Sequence, residues 1–305
     1  MNAPSAVNGI LLLDKPLGLS SSAAVQRVRR AFGRIKAGHT GSLDPLATGM
    51  LPICLGEATK VAGYLLEGDK EYTFTARFGA RRSTGDLEGE VVEECAVPED
   101  LAAALRAVIP AFTGQISQVP PMYSALKRDG QPLYKLARQG IDVERQARQL
   151  VIHMLELVAA AGDVATLHVR CSKGTYVRTL AEDLARAAGS CAHLTALRRT
   201  SVAPFPGSTM VTLDSVEANP AGSCILTPDA ALAHLPEVLL DMEGARRLQL
   251  GQSVGCPDAD LQPGLARVYG AGGRFLGIGQ ITPVDSGARI LKPVRLFNDL
   301  GVNPT

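Results

Sequence analysis

The stretch Gly38 to Gly49, GHTGSLDPLATG, concentrates residue types that can do chemistry: His39, Asp44 and Pro45 set among glycines. Glycine permits backbone conformations closed to other residues and lets a ligand approach the main chain closely, so such a loop can hold one carboxylate at a fixed point against a partner. No GK[ST] follows, which removes a Walker-type phosphate loop, and the acidic ligand set of a calcium loop is missing. Two readings of the loop stay open on these residues alone. Asp44 and His39 either tie the turn together as turn residues do, or present an acid and an imidazole to a substrate.

The rest of the composition narrows the chemistry. The six cysteines, Cys54, Cys95, Cys171, Cys191, Cys224 and Cys256, are scattered with no CxxC pair and no closely spaced Cys/His set, which argues against zinc. All six are expected to be small buried thiols in a reducing compartment. With 46% hydrophobic and 20% charged residues and no apolar run of membrane-spanning length, the chain reads as a folded protein with no membrane role. The short apolar run Ile10 to Leu13 lacks the basic start of a secretory signal, so the cytoplasm is the expected location. Net charge is +1, but its distribution is uneven: Lys15, Arg27, Arg29, Arg30, Arg34 and Lys36 occupy a stretch without acids, while Asp86 to Asp100 is acidic. A basic surface for nucleic acid and an ordinary solvated helix face both fit that pattern.

The elements that must position these groups follow from periodicity. Ser20 to Ser22 precede Ala23 to Phe32, where Val25, Val28 and Phe32 recur at helical spacing and Gly33 marks a stop. From Glu71 to Gly79, Tyr72, Phe74, Ala76 and Phe78 alternate with polar residues, predicting a half-buried strand with Tyr72 on the apolar side. Pro98 to Ile109 predicts a helix, and the Pro- and Gly-punctuated Gly114 to Gly140 a surface insertion carrying Lys127, Arg128, Lys135 and Arg138. Leu167, Val169 and Cys171 alternate as a strand, a turn follows over Ser172 to Thr175, and Val177, Leu180, Ala181, Leu184 and Ala188 return to helical spacing. Leu197 reads as an apolar residue on a helix face. Helices and strands mix without a regular parallel repeat, which predicts an α+β fold. At 305 residues a second, smaller domain is expected. After Pro236, short strands near Leu265 to Tyr269 and Phe275 to Ile281 make it all-β, with Gly270 to Gly273 as a hairpin turn.

Read as a whole, GHTGSLDPLATGMLPICLGEATK (Gly38 to Lys60) resembles the signature of the TruB family of pseudouridine synthases. The resemblance continues through NGILLLDKPLGLSS (Asn8 to Ser21), KEYTFTARFG (Lys70 to Gly79), VPPMYSALKRDGQPLY (Val119 to Tyr134) and CSKGTYVRTLAEDL (Cys171 to Leu184), covering most of residues 8 to 215. Ser42 departs from it, standing where the family pattern has alanine.

What the resemblance implies can be stated residue by residue. The fold would be a pseudouridine synthase catalytic domain over residues 1–235, with a mixed, largely antiparallel central sheet and an RNA-contacting insertion at about 115–150. A small β-rich PUA-like RNA-binding domain would occupy 236–305. The activity would be isomerisation of uridine 55 in the T loop of tRNA by base flipping, with Asp44 as the catalytic carboxylate and no cofactor or metal. Arg178 would pair with Asp44 through a bidentate fork and keep it ionised; the local alternative is an ordinary pair with Glu182, four residues on. Tyr72 would stack on the base, Tyr176 and Leu197 would line the pocket, and His39 would fill the gap left by the extruded nucleotide. Lys15 would either support the loop or contact RNA. The partner would be the T stem-loop of tRNA, held partly by salt-sensitive phosphate contacts from the insertion. With no heptad pattern, a monomer is expected. Two other readings compete: a sugar-directed hydrolase, which needs a second carboxyl that no comparable motif supplies, and a noncatalytic RNA-binding or RNA-folding protein.

Overall fold

The computed structural model describes residues 7–128, 130–258, 260–284 and 287–297. In chain order its first half contains β1 (Gly9–Lys15), α1 (Ser21–Ala31), β2 (Ala37–His39), β3 (Ala47–Leu55), α2 (Ala62–Glu67), β4 (Lys70–Phe78), β5 (Ala80–Arg82), β6 (Val91–Glu94), α3 (Leu101–Val108) and β7 (Gly114–Gln118). Then come the two-residue strands β8 (Lys127–Arg128) and β9 (Gln131–Pro132), α4 (Leu133–Arg138), β10 (Arg148–Ala161), β11 (Val164–Cys171), α5 (Val177–Ala187) and β12 (Ala192–Val202). Short elements β13 (Val211–Thr212), α6 (Leu213–Ala218) and β14 (Ile225–Leu226) lead to β15 (Glu237–Leu239), α7 (Met242–Gln249), β16 (Val254–Gly255), β17 (Gly264–Tyr269), β18 (Phe275–Pro283) and β19 (Arg289–Leu296).

The central sheet runs β13-β1-β3-β12-β4-β11-β10-β7, with β14 added on β1 and β2 on β3. Its pairings are antiparallel except β1 with β13 and β3 with β12, so the fold is α+β around a mixed, largely antiparallel sheet. Alternation along the strands explains why the sheet is covered twice. On β1, Leu11 and Leu13 enter one apolar cluster with Val25 and Val28 of α1 and Leu180 and Leu184 of α5, whereas Ile10 and Leu12 enter another. That second cluster also holds Met50 and Cys54 of β3 and Phe275, Ile278 and Phe297 from the far end of the chain. The C-terminal strands, ordered β15-β17-β18-β19-β16, therefore share a core with the back of the central sheet while keeping a cluster of their own around Val268 and Leu291. Lys60 strengthens the seam: its Nζ donates to the Leu296 carbonyl at 2.8 Å and sits over the Phe297 ring.

Helix α1 begins where expected. Ser20 caps it by accepting from the Ala23 amide, and it stops before Gly33, whose φ of 70° is left-handed. Its basic face is partly answered, because Arg27 makes a two-point ion pair with Glu217 of α6. Along β4 burial alternates, with Tyr72, Phe74, Ala76 and Phe78 inward.

Four sequence expectations are corrected. Leu197 lies on strand β12, not on a helix, since Ala192–Val202 continues the alternation of the central sheet. The segment Gly114–Gln118 belongs to that sheet as its edge strand, so the projecting insertion starts only after it. The C-terminal region is not all-β: α7, capped by Asp241 through the Gly244 amide, buries Ala245 and Leu248 on an otherwise charged helix. The cysteines are not six buried thiols either. Cys95 and Cys191 form a disulfide, Cys224 is exposed, Cys256 is half-exposed, and only Cys54 and Cys171 are buried free thiols. The Gly270–Gly273 turn does close a β17–β18 hairpin, with the Gly270 amide donating to the Arg274 carbonyl.

Candidate active site

The loop carrying Asp44 is fixed before it reaches any substrate. The Ser21 hydroxyl at the start of α1 accepts from the Leu43 amide at 2.7 Å and donates to its carbonyl at 3.0 Å. The Gly18 amide holds the Pro45 carbonyl, and the Ala47 amide closes a turn on Asp44 itself. Arg199, almost fully buried on β12, donates from Nη2 to the Gly41 carbonyl and from Nε to the Met50 carbonyl. Close packing makes this possible: a Cβ on Gly49 would lie 2.2 Å from the Arg199 carbonyl.

Arg178, in the first turn of α5, meets Asp44 through Nε at 3.0 Å. The expected fork is corrected here, because Nη1 donates to the Thr84 carbonyl at 2.6 Å and Nη2 to the Tyr123 carbonyl at 2.7 Å. One guanidinium thus joins α5 to the Asp44 loop, the β5–β6 turn and the start of the insertion. Its partner is not Glu182, and a second carboxylate, buried Asp86, stands 3.8 Å from Nε. Asp86 is itself held by the Thr84 hydroxyl and the Glu88 amide.

Asp44, Tyr72, Tyr176, Arg178 and Leu197 wall a single cavity of about 300 Å3, with Lys70 and Arg199 beside them. His39 is not on that wall; it ends β2, half-buried, with Nδ1 buried and unbonded. Tyr72 projects from β4 directly opposite Arg199 in the β4–β12 register. Tyr176 is fixed through its backbone by the Gln118 amide, which accepts from its N–H at 2.8 Å and donates to its carbonyl at 3.2 Å. Ser124 lies beside the Tyr176 ring hydroxyl, its own Oγ completing no hydrogen bond of normal geometry.

The electrostatics are those of a recess. Burial pushes the Asp44 carboxyl above the ordinary aspartate value; Arg178 and Lys15 pull against it, and Asp86 adds to it. Although 41% of the side-chain surface still meets solvent, the surrounding protein mass makes burial the larger influence. Burial also raises the Tyr72 phenol, with Arg199 opposing, and lowers His39. Lys15 is brought down to about 8 by burial, its Nζ donating to the Pro16 and Leu19 carbonyls of the connection between β1 and α1. Lys70 is likewise near 8, its Nζ gathering the carbonyls of Leu66 and Gly68.

Sequence reasoning did not single out Asp86, Gln118, Lys70 or Arg199. A buried charge announces itself only when its strand is known, and the one available signal for Lys70 and Arg199 was a cation at an inward position of an alternating strand. Among the described residues no three His, Cys, Asp or Glu side chains gather in a metal-ligating group, and no helix is long and apolar enough to cross a membrane.

Residues 29–177 match the TruB family pseudouridylate synthase N-terminal domain, 178–245 the tRNA pseudouridylate synthase B C-terminal domain, and 236–297 the C-terminal domain of pseudouridine synthase II TruB. A protein of Aromatoleum aromaticum named tRNA pseudouridine synthase B is 50% identical over 297 residues, spanning 96% of this chain and 93% of its own length. One of the same name from Pseudomonas fluorescens is 51% identical over 283 residues, spanning 90% and 92%. Among solved structures, a Cbf5-Nop10-Gar1 complex superposes with a TM-score of 0.73 at 25% identity, covering 97% of this chain and 87% of that one. Fold, site and likeness together define a pseudouridine synthase, an isomerase. The chain belongs to the TruB family.

Proposed function

We propose that this enzyme converts uridine 55 in the T loop of tRNA to pseudouridine, with Asp44 as the catalytic carboxylate. The observation that carries the reading is the Asp44–Arg178 contact on the wall of a cavity shared with Tyr72, in a chain half identical to proteins named tRNA pseudouridine synthase B.

In the reaction the N1–C1′ bond of uridine breaks, the detached uracil turns within the site, and a C5–C1′ bond forms. The proton on C5 leaves and N1 gains one, so substrate and product are isomers and no electrons are exchanged with a cofactor. Asp44, ionised and aimed by Arg178, engages the nucleoside as the glycosidic bond breaks. The cavity volume suits a single base. Tyr72 stacks on it, with Leu197 and Tyr176 confining the turning ring. The base reaches the cavity by extrusion from the folded loop, and His39, standing outside the wall, enters the gap. Residues 1–235 act as the catalytic domain, with the insertion that lies between Gln118 and Arg148 closing on phosphates. Residues 236–305 act as the PUA-like RNA-binding domain, and the protein works as a monomer in the cytoplasm.

The test is tritium release from tRNA labelled at uridine C5, with the parent protein and Asp44→Asn compared in the presence of a chelator. Release by the parent, retained uracil in the product and a loss of about a thousandfold or more in the variant with RNA binding kept are expected. Free uracil would mean hydrolysis, and no release from the parent would leave a protein that only binds RNA.

A further inference from the structure

Arg199 occupies an improbable place for a cation. It is 1% exposed, and its resolved hydrogen bonds run to the carbonyls of Met50 and Gly41 and not to a carboxylate. Its charge is felt by Lys15, Lys70 and His39, so it stands among other potential cations. Burying a guanidinium in such company is costly, and an apolar side chain of similar volume would often serve a core better. Its position points to what it does. Arg199 is the direct cross-strand neighbour of Tyr72, both side chains reach the same cavity wall, and the Gly41 carbonyl it grips is three residues before Asp44.

We propose that Arg199 is a positioning residue that locks the Tyr72 ring and the Asp44 loop into one geometry. On this assignment the ring that holds the uracil and the carboxylate that acts on the nucleoside face the same point. The proposal rests on the roles given above to Asp44 and Tyr72. The planar guanidinium suits the task because it can hold two carbonyls with Nε and Nη2 and keep its remaining edge for the phenol hydroxyl. An ammonium on a flexible stem cannot span all three.

The experiment compares Arg199→Lys in the parent and in a Tyr72→Phe background, reading kcat and KM for pseudouridine formation, with thermal unfolding as a control. Arg199→Lys should lower kcat about tenfold or more with KM within about twofold, a misalignment effect. In the Tyr72→Phe background the further loss should shrink to less than about threefold, since coupled residues are not additive. Losses that multiply, or a lowered melting temperature with kcat kept, would overturn the proposal. A second arm needs neither activity nor a folded Arg199 variant: the guanidinium 15N signals of Arg199 are compared between parent and Tyr72→Phe. They should shift; unchanged signals overturn the assignment. Should the parent form no pseudouridine, the failure lies with the functional reading, and the 15N comparison still decides the role of Arg199.

Discussion

Arg178 meets Asp44 with one nitrogen, Nε at 3.0 Å, and spends its other two on the backbone carbonyls of Thr84 and Tyr123. The carboxylate is therefore oriented by a side chain whose own angle is set by two other segments. The contact falls on the Nε side of the guanidinium, at Oδ2 of the carboxylate.

Replacement of Arg178 by lysine should consequently do more than weaken an ion pair. A single ammonium cannot hold the Thr84 and Tyr123 carbonyls and Asp44 at their present separations. Arg178→Lys is expected to lower kcat by roughly a hundredfold, as misplacement of a reacting group does. Single-turnover rates at saturating RNA check this; a rate within a few-fold of the parent would show that charge alone suffices.

The acid side of the pH profile carries a sign. Burial raises the Asp44 pKa above the ordinary aspartate value, so the ionised form is lost earlier as pH falls than it would be in an open site. Asp86 contributes to that rise through like-charge repulsion. Asp86→Asn removes the repulsion and should move the acid limb of kcat/KM to lower pH, whatever it does to the plateau. Profiles recorded between about pH 4 and 7 read the limb directly; a limb that moves upward would refute the assignment.

Gly49 sets how closely β3 and β12 can run. Its φ is +97°, and a Cβ there would collide with the Arg199 carbonyl at 2.2 Å. Gly49→Ala should destabilise the fold by about 3 kcal/mol, combining backbone strain with overpacking. Urea unfolding midpoints, compared at unchanged slope, measure it.

Thiol counting tests the cysteine arrangement. In the native, unreduced protein only Cys224 and Cys256 should react rapidly with a thiol reagent, because burial pushes the Cys54 thiol up to about 12 and Cys171 to about 11. Unfolding without reductant should expose four thiols in all, with Cys95 and Cys191 withheld in their disulfide. Six reactive thiols in unreduced, unfolded protein would show the disulfide to be absent.

How far the sequence could be read depended on the range of the interaction. Local periodicity was enough for β4, where Tyr72 alternates with threonine and glutamate, and for α1 and α5, where apolar residues recur at helical spacing. It failed at Leu197, because β12 alternates in burial but its inward positions include Arg199 and Ser201, so residue type does not show the period, and at α7, where two buried apolar residues hold a charged helix. Through-space pairings were out of reach of spacing altogether. Nothing about the numbers 44 and 178 says that the two side chains meet; only the resemblance to a family proposed it, and it proposed a fork where the molecule has a contact through Nε. The Cys95–Cys191 pairing escaped for the same reason, since composition alone favoured reduced thiols. Arg199 was invisible because a buried cation is legible only after the sheet has been assembled around it.

The apolar cluster shared by the central sheet and the last strands has a practical consequence for anyone seeking a smaller catalyst. Phe275, Ile278 and Phe297 cover the same ground as Ile10, Leu12 and Met50. Cutting the chain after β14 would leave a greasy face on β1 and β3, open to water and to other copies of itself. A trimmed enzyme would therefore need that face redesigned with polar residues before it could stay in solution.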